Sequence, residues 1–387
     1  MTIAEPAVAS PVVDRAELLA RVAALAPLLE ETTVASETAG TMVPQAVEAL
    51  RAAGLFRLWS PREVGGYDVS VPDQLEVLVA VARIDMSACW TLMIGNSGSA
   101  VMGSRLPDDG VARLFADGPW PTAASSLTPA GRARRGEGGY RLSGRWGFGS
   151  GIRHARGAMA NCLVEDPQAG APTQISAFVP VEQIEILDDW HVPGLRGTGS
   201  NSYVADDVFV PDCFVAVLQP LKVHRGGARA SGLHLRLSIE HGAVALGGAR
   251  RALDEVTQQA AAKRRLRETR TVADTQSFQV ELGRLEARYL SLLAGAREAA
   301  AAFDAALGGP QASLAEAAAV MRAVCAHATE GCQDIVNRCL RQAGAGAIMP
   351  GNPLERLQRD MTVAAQHYMM ADRAYEDLAG YRLAVTL

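Results

Sequence analysis

Residues 144–151 read Gly-Arg-Trp-Gly-Phe-Gly-Ser-Gly, a segment in which glycines with wide backbone freedom flank two aromatic side chains. Around it, over residues 120–217, short alternating runs are separated by Gly, Pro and Asp, which is typical of β-strands joined by turns. Helical spacing of apolar residues precedes this stretch and returns after it, for example at Phe278, Leu282 and Leu285. The order helical, β, helical predicts an α+β protein with a β domain between two helical regions.

These changes of pattern divide the chain into three expected domains. We expect an N-terminal helical domain over residues 1–118, a β domain over residues 119–217 and a bundle of antiparallel helices over residues 218–387. One expected helix of the first domain, over residues 86–104, is rich in Ser, Ala and Gly. Small side chains there would let another helix, a substrate or a ring approach closely.

Composition excludes several classes of function. Charged residues make up 20% of the chain and the net charge is −5, without the concentrated basic surface that nucleic-acid binding needs. There is no run of the about 18 to 20 apolar residues that would span a bilayer. Residues 1–11 lack the basic and apolar segments of a secretory signal. The 6 cysteines show no CxxC pairing, so we expect a cytoplasmic protein with no metal site, no membrane and no nucleic-acid partner.

Four segments carry residues suited to cofactor chemistry. They are 50–61 with 65–66; 125–131 with 144–151 and 154–155; 190–200 with 207–211; and 359–360 with 366–367. In this order and spacing they resemble the acyl-CoA dehydrogenase superfamily, and within it the flavin-dependent monooxygenases that receive reduced flavin from a separate reductase. The resemblance covers nearly the whole chain. It implies an acyl-CoA dehydrogenase-like fold with an N-terminal helical domain, a middle β-barrel domain and a C-terminal four-helix bundle.

The resemblance also implies a flavin site. A flavin needs an apolar wall, hydrogen bonds to the polar edge of its ring, and cationic or backbone partners for its phosphate. The expected cofactor-binding residues are Ser125, Ser126, Trp146, Phe148, Gly149, Ser150, Arg196, Thr198, Ser200 and Arg265. From the residues alone, a tight turn with core aromatics explains Trp146 and Phe148 as well, and a solvated helix face explains Arg265. Ser150 can donate to a nitrogen or carbonyl of the ring.

The expected reaction depends on a missing carboxylate. An acyl-CoA dehydrogenase removes an α-proton with a glutamate, and the two positions that the resembled family uses for it fall at His367 and Leu237. His367 suits a monooxygenase, as a base or as a hydrogen-bonding partner for bound oxygen. A histidine satisfied inside the bundle is the alternative. His154 and Asn96 are further catalytic candidates, because His154 matches the family and Asn96 stands where some relatives carry an active-site histidine.

The resemblance therefore predicts the oxygenase component of a two-component flavin-dependent monooxygenase. It would use reduced FMN or FAD and O2, through a flavin C4a-hydroperoxide, to oxygenate an aromatic or similar small molecule. The chain has no GxGxxG between a strand and a helix, so a separate flavin reductase would supply the electrons. The family is commonly tetrameric, and a homotetramer is expected. Two alternatives stay open: an acyl-CoA dehydrogenase or oxidase with Glu240 as a displaced base, and a helical scaffold that has lost the chemistry.

Overall fold

The computed structural model describes residues 13–386 except 117, 119, 166–169 and 267. Residues 1–11, on which the expectation of no secretory signal falls, lie outside the described residues. The helices before the sheet are α1 (Arg15–Ala39), α2 (Pro44–Ala52), α3 (Val71–Ile84), α4 (Met86–Arg105) and α5 (Asp108–Phe115). The helices after it are α6 (Gly227–Ser231), α7 (Leu237–Ala262), α8 (Gln276–Ala306), α9 (Gln311–Ala343), α10 (Pro353–Ala364) and α11 (Arg373–Thr386).

The strands form one mixed sheet between these two groups of helices. They are β1 (Ala123–Ser125), β2 (Gly131–Gly136), β3 (Gly139–Trp146), β4 (Gly157–Val164), β5 (Gln174–Pro180), β6 (Glu185–Ile186), β7 (Tyr203–Pro211) and β8 (Val215–Gln219). Their order is β6-β7-β3-β2-β4-β5-β8, with β1 paired to β4. In the part of the chain that the structure describes, this path is open from β6 to β8. We therefore describe a mixed sheet, where the resemblance implied a barrel.

Strand β4 carries two different partners on one edge. Its first residues pair in parallel with β1 and its last residues pair in parallel with β2, while β5 lies antiparallel on the other edge. In the gap between β1 and β2, the side-chain amide of Asn161 donates to the backbone oxygen of Ser126 at 2.7 Å. Because this bond replaces a missing ladder bond, it fixes the loop that follows β1.

Helix α4 packs against both the helical core and the sheet. Asp85 caps its first turn by accepting the N–H of Ala88 at 2.8 Å. A Cβ at Gly98 would lie 2.1 Å from the carbonyl oxygen of Ala123, and one at Gly95 would lie 2.6 Å from the Phe56 ring. The small residues of this helix therefore admit protein neighbours, namely β1 and the segment that follows α2.

The long helices after the sheet pack on α3 and on each other. Helix α7 contacts α3, α8, α9 and α10, and its Gly247 lies so close to α3 that a Cβ would be 2.4 Å from the Ala82 Cβ. Three cysteines, Cys325, Cys332 and Cys339, are buried in α9 as core residues. No helix in the described parts of the chain has the length and apolarity needed to cross a membrane.

Candidate active site

The end of β3 and the loop before β7 bring three hydroxyl groups together. The Oγ atoms of Ser150 and Ser200 are 2.7 Å apart, and Thr198 Oγ1 lies 2.7 Å from Ser200 Oγ. At one end the indole Nε1 of Trp90 donates to Ser150 at 3.1 Å. At the other end Thr198 Oγ1 donates to the carbonyl oxygen of Leu195 at 2.8 Å. We call Ser150, Ser200 and Thr198 the hydroxyl chain.

The two ends set the direction of every proton in the hydroxyl chain. An indole N–H can only donate and a carbonyl oxygen can only accept. Thr198 therefore donates to the carbonyl oxygen of Leu195, Ser200 donates to Thr198, and Ser150 donates to Ser200. Ser150 keeps only a lone pair for a ligand, which corrects the expectation that it donates.

Beside the hydroxyl chain lie three rings, Trp90, His241 and His367, which we call the ring cluster. The two imidazoles stack with centroids 3.8 Å apart and an angle of 18° between their planes. The indole meets both edge-on, at 5.1 Å from His241 and 5.8 Å from His367. Burial lowers the pKa of His241 to about 4, and burial together with the neighbouring His241 lowers the pKa of His367 to about 2. Both rings are therefore neutral at physiological pH.

The Arg359-Asp360 pair fastens α10 to the loop that carries the hydroxyl chain. Asp360 Oδ1 accepts the backbone N–H of Leu195 at 2.6 Å, and Arg359 Nη1 donates to the carbonyl oxygen of Pro193 at 2.6 Å. Between them, a Cβ at Gly194 would lie 2.1 Å from the carbonyl oxygen of Arg359, so only glycine fits. Burial, with nearby Asp85 adding to it, raises the pKa of Asp360 to about 7. The third and fourth sequence segments are thus one structural unit.

His154 lies at a small pocket on the other side of Ser150. Its Nε2 is 2.9 Å from Thr41 Oγ1. Burial, followed by the charges of Arg51 and Arg153, lowers its pKa to about 4. The pocket is lined by residues of α2, α4, β1 and the 150–155 turn, including Phe56 and Thr91, which places His154 beside the hydroxyl chain rather than in the ring cluster.

Two predicted site residues are structural. Trp146 is fully buried in the core of the sheet, where its Nε1 donates to Asn161 O at 2.8 Å and its ring stacks on Tyr203 at 5.3 Å. Asn96 is fully buried. Its side-chain amide donates to the backbone oxygens of Leu55 and Leu92, and its Oδ1 accepts the backbone N–H of Leu58. We correct both predictions, since neither polar group is left to meet a ligand.

The other predicted cofactor residues differ in exposure, and Arg265 lies beyond the C-terminal end of α7, whereas His241 lies near the N-terminal end of that helix. Phe148 has 74% of its surface exposed, a positive φ of 61°, and an edge-on contact with Trp190 at 6.3 Å. Gly149 is buried, and a Cβ there would lie 2.8 Å from Asn201 O, so the position has no room for a side chain. Ser125 and Ser126 are half-buried, and Arg196 and Arg265 are exposed.

Glu240 points away from the ring cluster. Its carboxyl oxygens lie 3.3 Å from Gln74 Nε2 and 3.4 Å from Ser97 Oγ. Ser97 is seven residues beyond Trp90 on α4, about 10 Å along the helix. Burial raises the pKa of Glu240 well above its usual range, against the opposing charge of Arg236. A carboxyl group directed between α3 and α4, away from the ring cluster, does not suit the base of a dehydrogenase.

Sequence reasoning missed His241 and Trp90. His241 is one turn after Leu237, the second position that the resembled family uses for its base, so it lies on the same face of α7. That spacing was the available signal. No sequence signal marks Trp90.

Two other features lie apart from these residues. Among the described residues, no group of three or more His, Cys, Asp or Glu side chains is arranged to hold a metal ion. A cleft of about 690 Å³ opens between α1 and the start of α3. Its charged groups already pair with each other, as in Arg15 with Asp73 at 2.5 Å and Arg229 with Asp68 at 3.3 Å, so we do not place the active site there.

Comparison with known proteins decides the family. Residues 239–372 match the family described as acyl-CoA dehydrogenase, C-terminal domain. A pigment production hydroxylase of Rhodococcus sp. is 26% identical over 96% of this chain and 97% of that protein. The FADH2-dependent resorcinol hydroxylase, oxygenase component, of Rhizobium sp. is 31% identical over 50% of this chain and 47% of that protein. The structure of XiaF from Streptomyces sp. in complex with FADH2 and glycerol superimposes with a TM-score of 0.85 and 26% identity, covering 96% of each chain.

The chain is a flavin-dependent monooxygenase, and its residues 239–372 match the C-terminal domain of the acyl-CoA dehydrogenase superfamily. This confirms the predicted family and reaction class. The monooxygenase combines the helical C-terminal part of that superfamily with a mixed sheet.

Proposed function

We propose that this monooxygenase is the oxygenase component of a two-component system that oxygenates an aromatic or similar small molecule with O2 and reduced FMN or FAD. The observation that carries the proposal is the meeting of the ring cluster with the hydroxyl chain. His367 stands in the ring cluster where a dehydrogenase would need a carboxylate, and Glu240 faces elsewhere.

The residues around the hydroxyl chain fit a reduced flavin. Ser150 offers a lone pair, which suits an N–H of a reduced ring better than a bare nitrogen. The exposed face of Phe148 beside Trp190 supplies an aromatic wall, and Ser125 and Ser126 lie at the adjoining strand end. When bound, the reduced flavin supplies two electrons for the activation of O2. The exposed Arg196, in the loop that carries Thr198 and Ser200, would bind the phosphate part.

His367 would act on the oxygen side of the reaction. Its ring is mostly buried, stacked on His241 and neutral, so it exchanges a hydrogen bond rather than a charge with its ligand. The surrounding aromatic rings exclude water, which strengthens such a bond and protects reactive oxygen species from solvent. His154, next to Ser150, would serve the opposite edge of the site.

Rapid mixing tests this assignment. The complex with reduced flavin is mixed with O2 and the near-ultraviolet absorbance transient is followed with and without added phenols. We expect the transient in the wild type, and we expect His367→Ala to lose at least about tenfold in product formed per flavin oxidised, with reduced-flavin affinity kept. The control is His327→Ala, an exposed residue of α9. Wild-type product yield in His367→Ala would remove this residue from the reaction.

We propose a separate reductase as the electron donor. The resorcinol hydroxylase of Rhizobium sp. is named an oxygenase component, which supports this proposal. Photoreduced free flavin should then support product formation without any second protein, because diffusion alone delivers the cofactor. An absolute need for a reductase in physical contact would contradict the proposal.

We further propose that the monooxygenase is a cytoplasmic homotetramer with domain boundaries near residues 118 and 217. Helix α8 exposes apolar side chains, with Leu290 61% and Val280 46% accessible, which favours burial against other subunits. Light scattering should give four times the chain mass of 40.8 kDa. A monomeric mass would contradict the tetramer, and limited proteolysis tests the two boundaries.

A further inference from the structure

The two stacked histidines differ in which nitrogen carries the proton. His241 Nδ1 lies 2.8 Å from the carbonyl oxygen of Leu237. Because a carbonyl oxygen only accepts, this nitrogen holds the proton, and the Nε2 of the neutral ring is a bare lone pair. His367 Nδ1 accepts the backbone N–H of Met369 at 3.3 Å, so the Nε2 of its neutral ring carries the proton. The pair therefore presents one acceptor nitrogen and one donor nitrogen.

The acceptor nitrogen of His241 is buried and lacks a partner. No hydrogen bond reaches its Nε2 from any described residue, although buried polar atoms are nearly always paired. The Trp90 ring touches His241, but its single N–H is committed to Ser150. A donor from outside the chain is therefore needed to satisfy this nitrogen.

We propose that His241 Nε2 is the acceptor for a weakly acidic O–H or N–H of the substrate, such as that of a phenol, while the Nε2–H of His367 donates to an oxygen atom. This proposal rests on the proposed function and assigns the role of base to His241 in place of His367. As the ring carbon forms its bond to oxygen, the phenol O–H bond breaks, its electron pair forms the carbonyl of the oxygenated ring, and the proton passes to His241. O2 is the oxidant: it takes two electrons from the substrate and two from reduced flavin, and its second oxygen leaves as water.

The resting complex holds a neutral hydrogen bond. The pKa of His241, lowered by burial to about 4, is far below the value of about 10 for a phenol. A positive charge on His241 would also lie against the neutral ring of His367, which offers it no compensating charge. The proton therefore moves only when attack at the ring carbon makes the O–H strongly acidic.

A coloured phenol tests the division of roles without flavin or O2. The full chain is titrated with 4-nitrophenol, and the visible band of its phenolate reports the apparent pKa of the bound dye. We expect the wild type to favour the neutral phenol. His241→Phe removes the acceptor and leaves the His367 donor, so it should lower the phenol-to-phenolate ratio about tenfold, whereas His367→Phe should raise it. His241→Gln, whose carbonyl can accept, should restore part of the preference, and His327→Gln is the surface control.

Nitrogen spectra give an independent measurement. In 15N-histidine-labelled protein at neutral pH, the variants assign the signals, and we expect His241 protonated on Nδ1 and His367 protonated on Nε2. The reverse tautomers, absence of dye binding, or shifts of the same sign in both Phe variants would overturn the proposal. Neither measurement uses flavin or O2, so failure of the oxygen reaction would count against the proposed function alone.

Discussion

Asp360→Asn isolates the energetic cost of the carboxylate that holds the hydroxyl-chain loop. Asparagine keeps the Oδ1 atom that accepts the N–H of Leu195 at 2.6 Å, but it cannot ionise. Burial and the nearby Asp85 raise the pKa of Asp360 from 3.8 to about 7. A raised acid pKa means that the folded state binds its proton more tightly than the unfolded chain. The contribution of Asp360 to the free energy of unfolding is therefore complete below about pH 4 and is lost as the pH rises to about 7.

The size of the effect follows from the two pKa values. The difference of about 3 between them corresponds to about 4 kcal/mol when the whole pH range is crossed. Between about pH 5 and about pH 8, the free energy of unfolding of the wild type should fall by about 3 kcal/mol because Asp360 ionises. The asparagine variant should show no such fall from this position. Contributions from other groups, including the two buried histidines, are common to both proteins and cancel in the difference.

Urea unfolding followed by circular dichroism at these two pH values measures the difference. We expect the free energy of unfolding of the variant, relative to that of the wild type, to rise by about 3 kcal/mol from the lower to the higher pH. Asp109→Asn, at an exposed position in the first turn of α5, is the control and should show no such gain. A constant difference between Asp360→Asn and the wild type would refute the raised pKa and with it the view of this loop anchor as a protonated acid near neutrality.

Three further substitutions test the remaining assignments. Asn96→Ala removes three bonds to backbone groups and should lower the free energy of unfolding by about 2 to 4 kcal/mol in urea titrations, whereas normal stability with lost turnover would mark a catalytic residue. Glu240→Gln changes a buried group that faces Gln74 and Ser97, away from the ring cluster, so coupled product formation should stay within about twofold of wild type. Lost turnover in a folded Glu240→Gln protein would revive the dehydrogenase alternative. Gly194→Ala puts a Cβ against α10 and should cost at least about 2 kcal/mol and weaken reduced-flavin binding in anaerobic titrations, and Gly346→Ala, with open space around it, should do neither.

The family and the reaction class of this chain followed from the resemblance that its short local segments carry. The helical, β, helical order is visible because apolar spacing repeats over neighbouring residues, and the family segments are short and contiguous. The absence of a glutamate at His367 and Leu237 is likewise a matter of residue type at single positions. These features need no knowledge of which distant residues meet, and they predicted a flavin-dependent monooxygenase correctly.

The burial of individual side chains could not be predicted in the same way. Trp146 and Phe148 are two residues apart in one glycine-rich segment, yet the first is fully buried in the sheet and the second is 74% exposed. Alternation along a strand predicts the same face for residues two apart, but Phe148 lies beyond the strand end in a turn of positive φ. Which aromatic faces the core is therefore set by the packing of β7 on β3.

The chemical groups of this chain and the local elements that carry them can be read from the sequence. The pairing of those groups depends on the tertiary structure, as for His241 with His367, Asp360 with the loop of Leu195, and the direction of hydrogen bonding from Trp90 to Thr198. The physical reason is that tautomer, proton direction and pKa depend on the partner of each group and on its burial. Those partners come from helices and loops far apart in the chain, brought together by the packing of the core.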